Sequence, residues 1–239
     1  MLPKIENPLY EATLPISNQK VMFRPFLVKE QKILLLAKQS EDAEFALNNI
    51  KQIIKNCCVS DIDVNKLTQI DIEYFFLQLR ARSIGEIVET KYRCNNKIDE
   101  NVCGNLMPVS INLLEVSIDK KENNDIIQLT DSVGFKMKYP DIAELSKLDD
   151  QITDAVTLTL EVIYNSLDYI FDEQNFYYKN ETPKSEVLEF LESMSIDQYK
   201  KVEEFFSNLP VLKETLTVKC SKCGFVHNID IVGLDNFLG

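Results

Sequence analysis

Between residues 29 and 83, apolar residues recur three and four positions apart, which is the spacing of amphipathic helices. Prolines at four positions exclude helix up to residue 25, so residues 1–25 are expected to be extended, with a turn at Asn18. A short strand is expected within SNQKVMFRPFLV (17–28). Gly85, which suits the left-handed position after a helix, ends the last of three predicted helices. These helices cover residues 29–40, 42–58 and 71–83.

Beyond Gly85 the hydrophobic period falls to two, as in strands whose side chains point to opposite faces in turn. The tetrapeptide DSVG (131–134) joins two of these runs into a predicted hairpin. The stretch YIFDEQNFYYKNET (169–182) fits either a hairpin or a loop. The runs that predict strands are EIVETKYRC (86–94), LMPVSINLLEVSI (106–118), IIQLT (126–130), FKMKYP (135–140), LKETLTVKC (212–220) and FVHNIDIV (225–232).

Helical spacing returns between the fourth and fifth of these runs. Thr182 is placed to cap a helix that begins with Pro183. Ser195 and Gln198 form an S-x-x-Q capping box at the start of another helix, which Pro210 ends. The predicted helices of this region cover residues 141–148, 151–165, 184–194 and 196–208.

Two pairs of cysteines share one local context: a strand, a cysteine, a turn, a Cys-Gly dipeptide and a second strand. In KCSKCGFVHN (219–228), two residues separate Cys220 from Cys223, whereas the eight residues NNKIDENV separate Cys94 from Cys103. This pattern resembles the two knuckles of a zinc ribbon, in which each of two hairpin tips supplies two thiolates to a tetrahedral Zn²⁺. The glycine after each pair is expected to let backbone N–H groups approach the sulfurs without obstruction by a Cβ.

The spacing of the two pairs is compatible with a single site. About 116 residues separate the halves, but loop closure costs only about 0.6 kcal/mol per doubling of loop length. The eight-residue spacer is long for such a turn, yet it is polar and rich in Asn, so it can bulge into solvent while its ends stay close. We therefore predict that Cys94, Cys103, Cys220 and Cys223 hold one zinc ion.

Two alternatives stay open for these cysteines: His227, the chain's single histidine, replaces one of them, or all four are reduced thiols without metal. His227 itself is expected to be a half-exposed strand residue. Cys57 and Cys58, which point about 100° apart on a helix, are expected to be ordinary core thiols. Four protein ligands leave no position for water, so the metal is predicted to be structural rather than catalytic.

The sequence therefore predicts an α+β fold, with a helical body and a zinc-ribbon-like β module built from two distant Cys-containing hairpins. Its 239 residues suffice for one large domain or two small ones. The predicted division is an N-terminal extended segment with helices at 1–85, a discontinuous β module at 86–118 and 211–239, and an inserted hairpin and helical region at 119–210.

The charge and composition of the chain argue against several classes of function. A net charge of −12 and a pI near 4.7 disfavour nucleic-acid binding, which depends on Lys and Arg. The longest apolar runs fall short of the roughly 20 residues that span a bilayer, and the first residues lack the apolar core of a secretory signal. A soluble intracellular protein is expected, and in a reducing compartment closely spaced cysteines favour metal over disulfides.

Catalytic motifs are missing from the sequence. It has one histidine, no nucleophile elbow and no glycine-rich phosphate-binding motif, so a non-enzymatic protein is predicted. Adjacent aromatic residues at 74–76, 177–178 and 205–206 cannot all face one core. Either their elements pack between two layers, or one ring of each cluster belongs to a surface for a protein partner.

Three stretches of the chain carry a resemblance to a known family: KVMFRPFLVKEQKILLLAKQS, NNIKQIIKNCCVSDIDVNKLTQIDIEYFFLQLRARSIGEIVE and LPVLKETLTVKCSKCGFVHNIDIVGLDNF. Together they resemble the T-even-type phage baseplate protein family, and in particular its baseplate hub assembly proteins. The similarity spans nearly the whole chain and is most specific at 19–88 and 209–237, through the phrases RPFLVKE, LRARSIGE and CSKCG.

The resemblance implies a non-enzymatic phage protein that builds the central hub of the tail baseplate, either as a hub component or as an assembly chaperone. Its implied partners are hub or tape-measure proteins, with no nucleic acid and no membrane. The implied location is the host cytoplasm during assembly, or the virion tail baseplate. The acidic charge suits a chaperone that masks an aggregation-prone partner protein. The alternatives are a zinc-ribbon nucleic-acid-binding or transcription-associated module, and an enzyme with a water-accessible metal.

Overall fold

The computed structural model describes residues 5–39, 43–99, 101–140 and 155–238, which group into two compact units. The first unit comprises residues 1–64, 70–119 and 211–239, and the second comprises residues 65–69 and 120–210. The predicted helix at 141–148 and the start of the one at 151–165 lie outside the described residues.

The helices and strands of the described residues come in separate runs along the chain, as in an α+β fold. The helices are α1 (Val28–Gln39), α2 (Ala43–Cys57), α3 (Gln69–Ile84), α4 (Ala155–Asn165), α5 (Lys184–Glu192), α6 (Ile196–Ser207) and α7 (Asp235–Leu238), with a 3₁₀ turn at Val64–Lys66. The strands are β1 (Tyr10–Thr13), β2 (Lys20–Phe23), β3 (Ile87–Arg93), β4 (Lys97–Ile98), β5 (Asn101–Val102), β6 (Leu106–Asn112), β7 (Ser117–Asp119), β8 (Ile126–Gln128), β9 (Gly134–Met137), β10 (Leu167–Phe171), β11 (Phe176–Tyr178), β12 (Val211–Lys219) and β13 (Val226–Val232).

The strands of the first unit form small antiparallel sheets. β1 pairs with β2, β3 pairs with β6, and β4 pairs with β5 in the loop between β3 and β6. A three-stranded sheet has the order β13-β12-β7. Because β7 leads into the second unit and β12 follows it, the chain leaves and re-enters the first unit on hydrogen-bonded neighbouring strands.

Aromatic rings on α3 form the centre of the helical part of the first unit. Phe75 and Phe76 are both fully buried although they point in different directions around the helix. Phe75 meets Phe23 of β2 at 5.4 Å between ring centroids, and Phe76 meets Phe26 at 5.9 Å. Tyr74 is half-buried. The helix is therefore packed on more than one side, which is the first of the two explanations given for this aromatic run.

Asp71, in the first turn of α3, fixes the turn between β1 and β2. Its buried carboxylate accepts hydrogen bonds from the backbone N–H groups of Ile16 and Ser17, at 2.8 and 3.1 Å. The turn predicted at Asn18 is present, with this residue at φ +54°. A carboxylate paired with two main-chain donors thus anchors this turn to α3.

In the described residues of the second unit, three helices pack against a sheet of order β11-β10-β9-β8. Its core is a cluster of apolar side chains contributed alternately by strands and helices. The buried members are Ile127, Phe135, Met137, Ile163, Leu167, Ile170, Val187, Leu191, Val202 and Phe205. The segment 169–182, for which hairpin and loop were both open, contains the β10–β11 hairpin.

Most of the predicted elements are confirmed, with ends that shift by a few residues. The first three helices lie within two residues of their predicted bounds. The capping box of α6 is present in full: Ser195 accepts from the N–H of Gln198, and Gln198 accepts from the N–H of Ser195. The DSVG hairpin is formed by β8 and β9.

Two local predictions were wrong. Thr182 does not cap α5; its hydroxyl donates back to the carbonyl of Tyr178, and Pro183 occupies the cap position. The run 106–118 is not one strand, because the side chain of Asn112 accepts the N–H of Leu114 and turns the chain between β6 and β7. Short polar side chains compete with regular backbone pairing in this way.

No helix among the described residues is both long and apolar enough to cross a membrane.

Candidate metal centre

Two hairpins of the first unit bring the four predicted cysteines together at their ends. Cys94 follows β3 and Cys103 precedes β6; Cys220 follows β12 and Cys223 precedes β13. The four Sγ atoms all lie within 4.8 Å of one another. Cys94 and Cys223 are 3.7 Å apart between sulfurs, and Cys103 and Cys220 are 3.9 Å apart.

These distances fit coordination to one ion and do not fit disulfides. Tetrahedral Zn²⁺ with Zn–S bonds of about 2.3 Å holds its sulfurs about 3.8 Å apart, whereas bonded sulfurs lie about 2.05 Å apart. Cys94, Cys103 and Cys220 are buried and Cys223 is half-buried, so the sulfurs face one another rather than solvent. The arrangement is compatible with a metal site.

The two cysteine turns have the same backbone hydrogen bonds. The N–H of Cys220 donates to the carbonyl of Phe225 at 2.8 Å, and the N–H of Gly224 donates to the carbonyl of Cys220 at 2.9 Å. In the other turn the N–H of Cys94 donates to the carbonyl of Asn105 at 2.8 Å, and the N–H of Gly104 donates to the carbonyl of Cys94 at 3.0 Å. The turns are therefore equivalent despite their different lengths.

The extra length of the first turn is contained in a separate hairpin. β4 and β5 pair Lys97 with Val102, and the N–H of Cys103 continues this ladder by donating to the carbonyl of Asn96 at 2.8 Å. The hairpin therefore closes on itself and leaves Cys94, Asn95, Asn96 and Cys103 in the geometry of a two-residue spacer. This hairpin was not predicted, because its strands are only two residues long and give no periodic signal in the sequence.

The glycines after the second cysteines are needed for a different reason from the one predicted. Gly104 has φ +66° and Gly224 has φ +74°, and residues that carry a side chain rarely adopt this left-handed backbone conformation. A Cβ at Gly224 would meet nothing within 4 Å, and one at Gly104 would come no closer than 3.8 Å to the carbonyl oxygen of Val102. Backbone conformation, not space beside the sulfurs, therefore requires these glycines.

Hydrogen bonds to sulfur make the cysteines electrostatically unequal. The backbone N–H groups of Cys223 and Lys222, together with the amide of Asn105, lower the pKa of Cys220 to about 6. Burial raises the pKa of Cys94 to about 12, although the N–H of Asn96 favours its thiolate. Removal of all four protons needs a compensating positive charge, which a cation among the sulfurs would supply.

His227 lies beside this cluster and is buried, at 5% exposure, rather than half-exposed as predicted. Its Nε2 is 3.1 Å from the sulfur of Cys94. The rings of Phe225 and Tyr92 meet its imidazole edge-on, at 4.8 and 5.4 Å between centroids. The prediction of half exposure was wrong because Tyr92, from the β3–β6 sheet, packs against this face of β13.

The two other cysteines of the chain, Cys57 and Cys58, lie outside this cluster. Cys57 is a buried thiol at the end of α2, 3.6 Å from the guanidinium of Arg24, and burial raises its pKa to about 11. Cys58 is half-buried. Among the described His, Cys, Asp and Glu residues, the group that can share one ion consists of the four sulfurs and includes neither these two cysteines nor His227.

Comparison with known families identifies the chain's relatives. Residues 7–239 match the model of the family described as T4 bacteriophage base plate protein. The chain belongs to this family. No curated protein and no solved structure matches it.

Membership in the base plate family confirms the resemblance found in the sequence. It supports a structural or assembly role in the phage baseplate, interaction with other baseplate proteins and association with the virion tail. Exposed aromatic rings offer one kind of surface for such contacts: Tyr177 and Tyr178 of β11 are 43% and 47% exposed, whereas Phe205 is buried. Aromatic side chains are enriched at protein interfaces.

Proposed function

We propose that this base plate protein is a non-enzymatic part of central hub assembly, and that its four clustered cysteines hold a structural zinc ion. The observation that supports the zinc site is the clustering of four sulfurs from two equivalent turns within 4.8 Å of one another. Two of the sulfur pairs, at 3.7 and 3.9 Å, lie near the edge length of a four-thiolate zinc tetrahedron. Hub assembly rests on the family match and on the strongly acidic charge, which suits masking of a hub or tape-measure protein.

A zinc ion held by four thiolates folds its domain and performs no chemistry of its own. Such a site has no position for water, and in small peptides structural zinc contributes on the order of 10 kcal/mol to folding. The residues that would hold the ion here are Cys94, Cys103, Cys220 and Cys223. Their burial and their backbone hydrogen bonds support a closed site, and hence a non-enzymatic protein.

The nucleic-acid alternative has one supporting feature, a group of cations beside the cysteines. Arg93, Lys219 and Lys222 are each adjacent in sequence to a cysteine of the cluster. Four thiolates around Zn²⁺ carry a net charge of −2, however, and neighbouring cations offset it. With a net charge of −12 for the whole chain, we expect no salt-dependent shift of duplex DNA in a gel, and a clear shift would favour the alternative.

Metal analysis of purified protein tests the zinc site. We expect close to one equivalent of zinc in the wild type and loss of this zinc in Cys220→Ser. Cys58→Ser is the matched control, because it makes the same atomic change at a half-buried thiol outside the cluster. Wild-type protein without zinc, or Cys220→Ser with its zinc intact, would contradict the proposed site.

Assembly in infected cells tests the hub role. A phage lacking this protein is complemented with wild-type or tagged chain, and the tag is used to recover partners before and after particles mature. We expect baseplate hub or tape-measure proteins among the partners, and particles without a complete hub when the protein is absent. Mass spectrometry of mature particles separates a hub component from an assembly chaperone. Normal hubs in the absence of the protein would overturn the proposal.

A further inference from the structure

We propose that His227 is a positioning residue of the zinc site, which donates a hydrogen bond from Nε2 to the sulfur of Cys94 and is not itself a zinc ligand. The inference rests on the proposed zinc site. It resolves which of the two roles a single histidine takes beside four cysteines, and it names a side-chain donor for Cys94, the most deeply buried cysteine of the cluster.

The distance between the two atoms argues for a hydrogen bond. Nε2 of His227 and Sγ of Cys94 are 3.1 Å apart. Two ligands of one tetrahedral zinc ion, a nitrogen at about 2.0–2.1 Å and a sulfur at about 2.3 Å, lie about 3.5 Å from each other. The four sulfurs already make up a complete tetrahedral set within 4.8 Å of one another. A fifth ligand would exceed the coordination number of structural zinc sites.

The direction of this hydrogen bond follows from the chemistry of the sulfur. A thiolate bound to a metal has no proton to donate, so its hydrogen bonds are all accepted. A neutral imidazole has one N–H and one bare nitrogen, and the bond therefore selects the tautomer with the proton on Nε2. Metal-bound groups are commonly fixed by such neighbouring hydrogen bonds.

The position of His227 is fixed by its surroundings. The ring is held edge-on between Phe225 and Tyr92, and it stands on β13 opposite Val218 of β12. Two of the other sulfurs accept side-chain hydrogen bonds: Asn105 donates to Cys220, and Asn96 donates to Cys223 at 3.7 Å. His227 therefore adds a third side-chain N–H group to those that disperse the negative charge of the four thiolates.

Spectroscopy of the cobalt(II)-substituted full chain tests this role without relying on phage assembly. We expect the wild type to show the charge-transfer and d–d bands of four-thiolate coordination. His227→Phe, which keeps an aromatic ring without a donor, should retain the four-thiolate pattern with a shifted charge-transfer band and about a tenfold weaker metal affinity. His227→Gln, which restores an N–H, should recover part of the affinity.

A control variant and a second measurement on wild-type protein keep the test independent of folding defects in the His227 variants. Asn228→Ala changes the neighbouring, outward-facing residue of β13 and should leave spectrum and affinity unchanged. In wild-type protein loaded with NMR-active cadmium, the Nε2 proton of His227 should show scalar coupling to the metal through the accepting sulfur.

The outcomes separate this inference from the proposed zinc site. Wild-type protein that takes up no cobalt or cadmium contradicts the site itself. A spectrum of three sulfurs and one nitrogen in the wild type, or a His227→Phe variant identical to the wild type in spectrum and affinity, leaves the site in place and overturns the role proposed for His227.

Discussion

Arg24 and Glu30 illustrate how a single buried charge orders the segment RPFLVKE. The carboxylate of Glu30 accepts from the guanidinium of Arg24 at 3.1 and 3.3 Å and from the N–H of Leu27 at 2.9 Å. Arg24 also donates to the carbonyl of Asn56 at 2.8 Å, which ties the start of α1 to the end of α2. Burial on its own would raise the pKa of Glu30, but these donors outweigh it and lower the pKa below its ordinary value.

Replacement of Glu30 by Gln should therefore destabilise the protein at neutral pH. The variant leaves Arg24 without its counter-charge, and we expect a loss of roughly 2–4 kcal/mol in the free energy of unfolding. Because the folded-state pKa is lowered, the ionised carboxylate stabilises the fold above its unfolded pKa of about 4.3, and this contribution is lost as pH falls through the folded pKa. Urea unfolding at several pH values measures the difference between wild type and variant.

Glu11→Gln is the matched control for this prediction. Glu11 pairs with Lys20 at 3.7 Å, but both side chains are more than half exposed, so we expect a change within about 0.5 kcal/mol. Equal losses in the two variants, or a loss in Glu30→Gln that is undiminished at acid pH, would show that the buried ion pair does not have the assigned role.

At the scale of elements, the β4–β5 hairpin is an insertion within the geometry that the two cysteine turns share. The hydrogen bond from Cys103 to Asn96 already holds the ends of residues 97–102 together. Facing residues of a hydrogen-bonded antiparallel pair have Cα atoms about 5.5 Å apart, against about 3.8 Å across a peptide bond. A peptide bond that joins Asn96 directly to Cys103 therefore needs their Cα atoms to move closer by only about 1.7 Å.

Deletion of residues 97–102 should leave the zinc site intact. The shortened turn has the sequence CNNCG, which matches the two-residue spacer of CSKCG, so we expect close to one equivalent of zinc in the deletion variant. Deletion of residues 95–96 is the control: it keeps the hairpin but removes the spacer, and should abolish zinc binding. Metal analysis of both purified variants measures the outcome, and loss of zinc from the first variant would mean that the hairpin is part of the site.

The same elements show which features of the fold a sequence reveals. The capping box at Ser195 and Gln198 was predictable because it depends on residues three apart. The clustering of the four cysteines was predictable from repeated local contexts. The burial of His227 was not, because it depends on Phe225 and on Tyr92 of a different hairpin. Contacts between elements that are distant in sequence leave no local signal.

At the scale of the whole molecule, the proposed zinc ion would close a long loop of the chain. Cys103 and Cys220 are 117 positions apart, and all of the second unit except residues 65–69 lies between them. In a chain-entropy model, a cross-link that closes a loop of about 100 residues stabilises the folded state by about 4–5 kcal/mol. The pairing of β7 with β12 closes nearly the same loop without metal, so the two constraints act at opposite ends of β12.

Chelation of zinc should therefore loosen the first unit from the cysteine end. Hydrogen exchange of the full chain, with and without a chelator, is expected to show faster exchange at the turns around Cys94 and Cys220 and in the adjacent ends of β3 and β12. Leu212, which is buried and paired with Ile118 of β7, should keep its protection, as should the core strands β9 and β10 of the second unit. Removal of zinc acts on folding only where the ion constrains the chain. Uniform loss of protection across both units would indicate that the ion supports the molecule as one cooperative fold, and unchanged exchange at the cysteine turns would indicate that no bound ion constrains them.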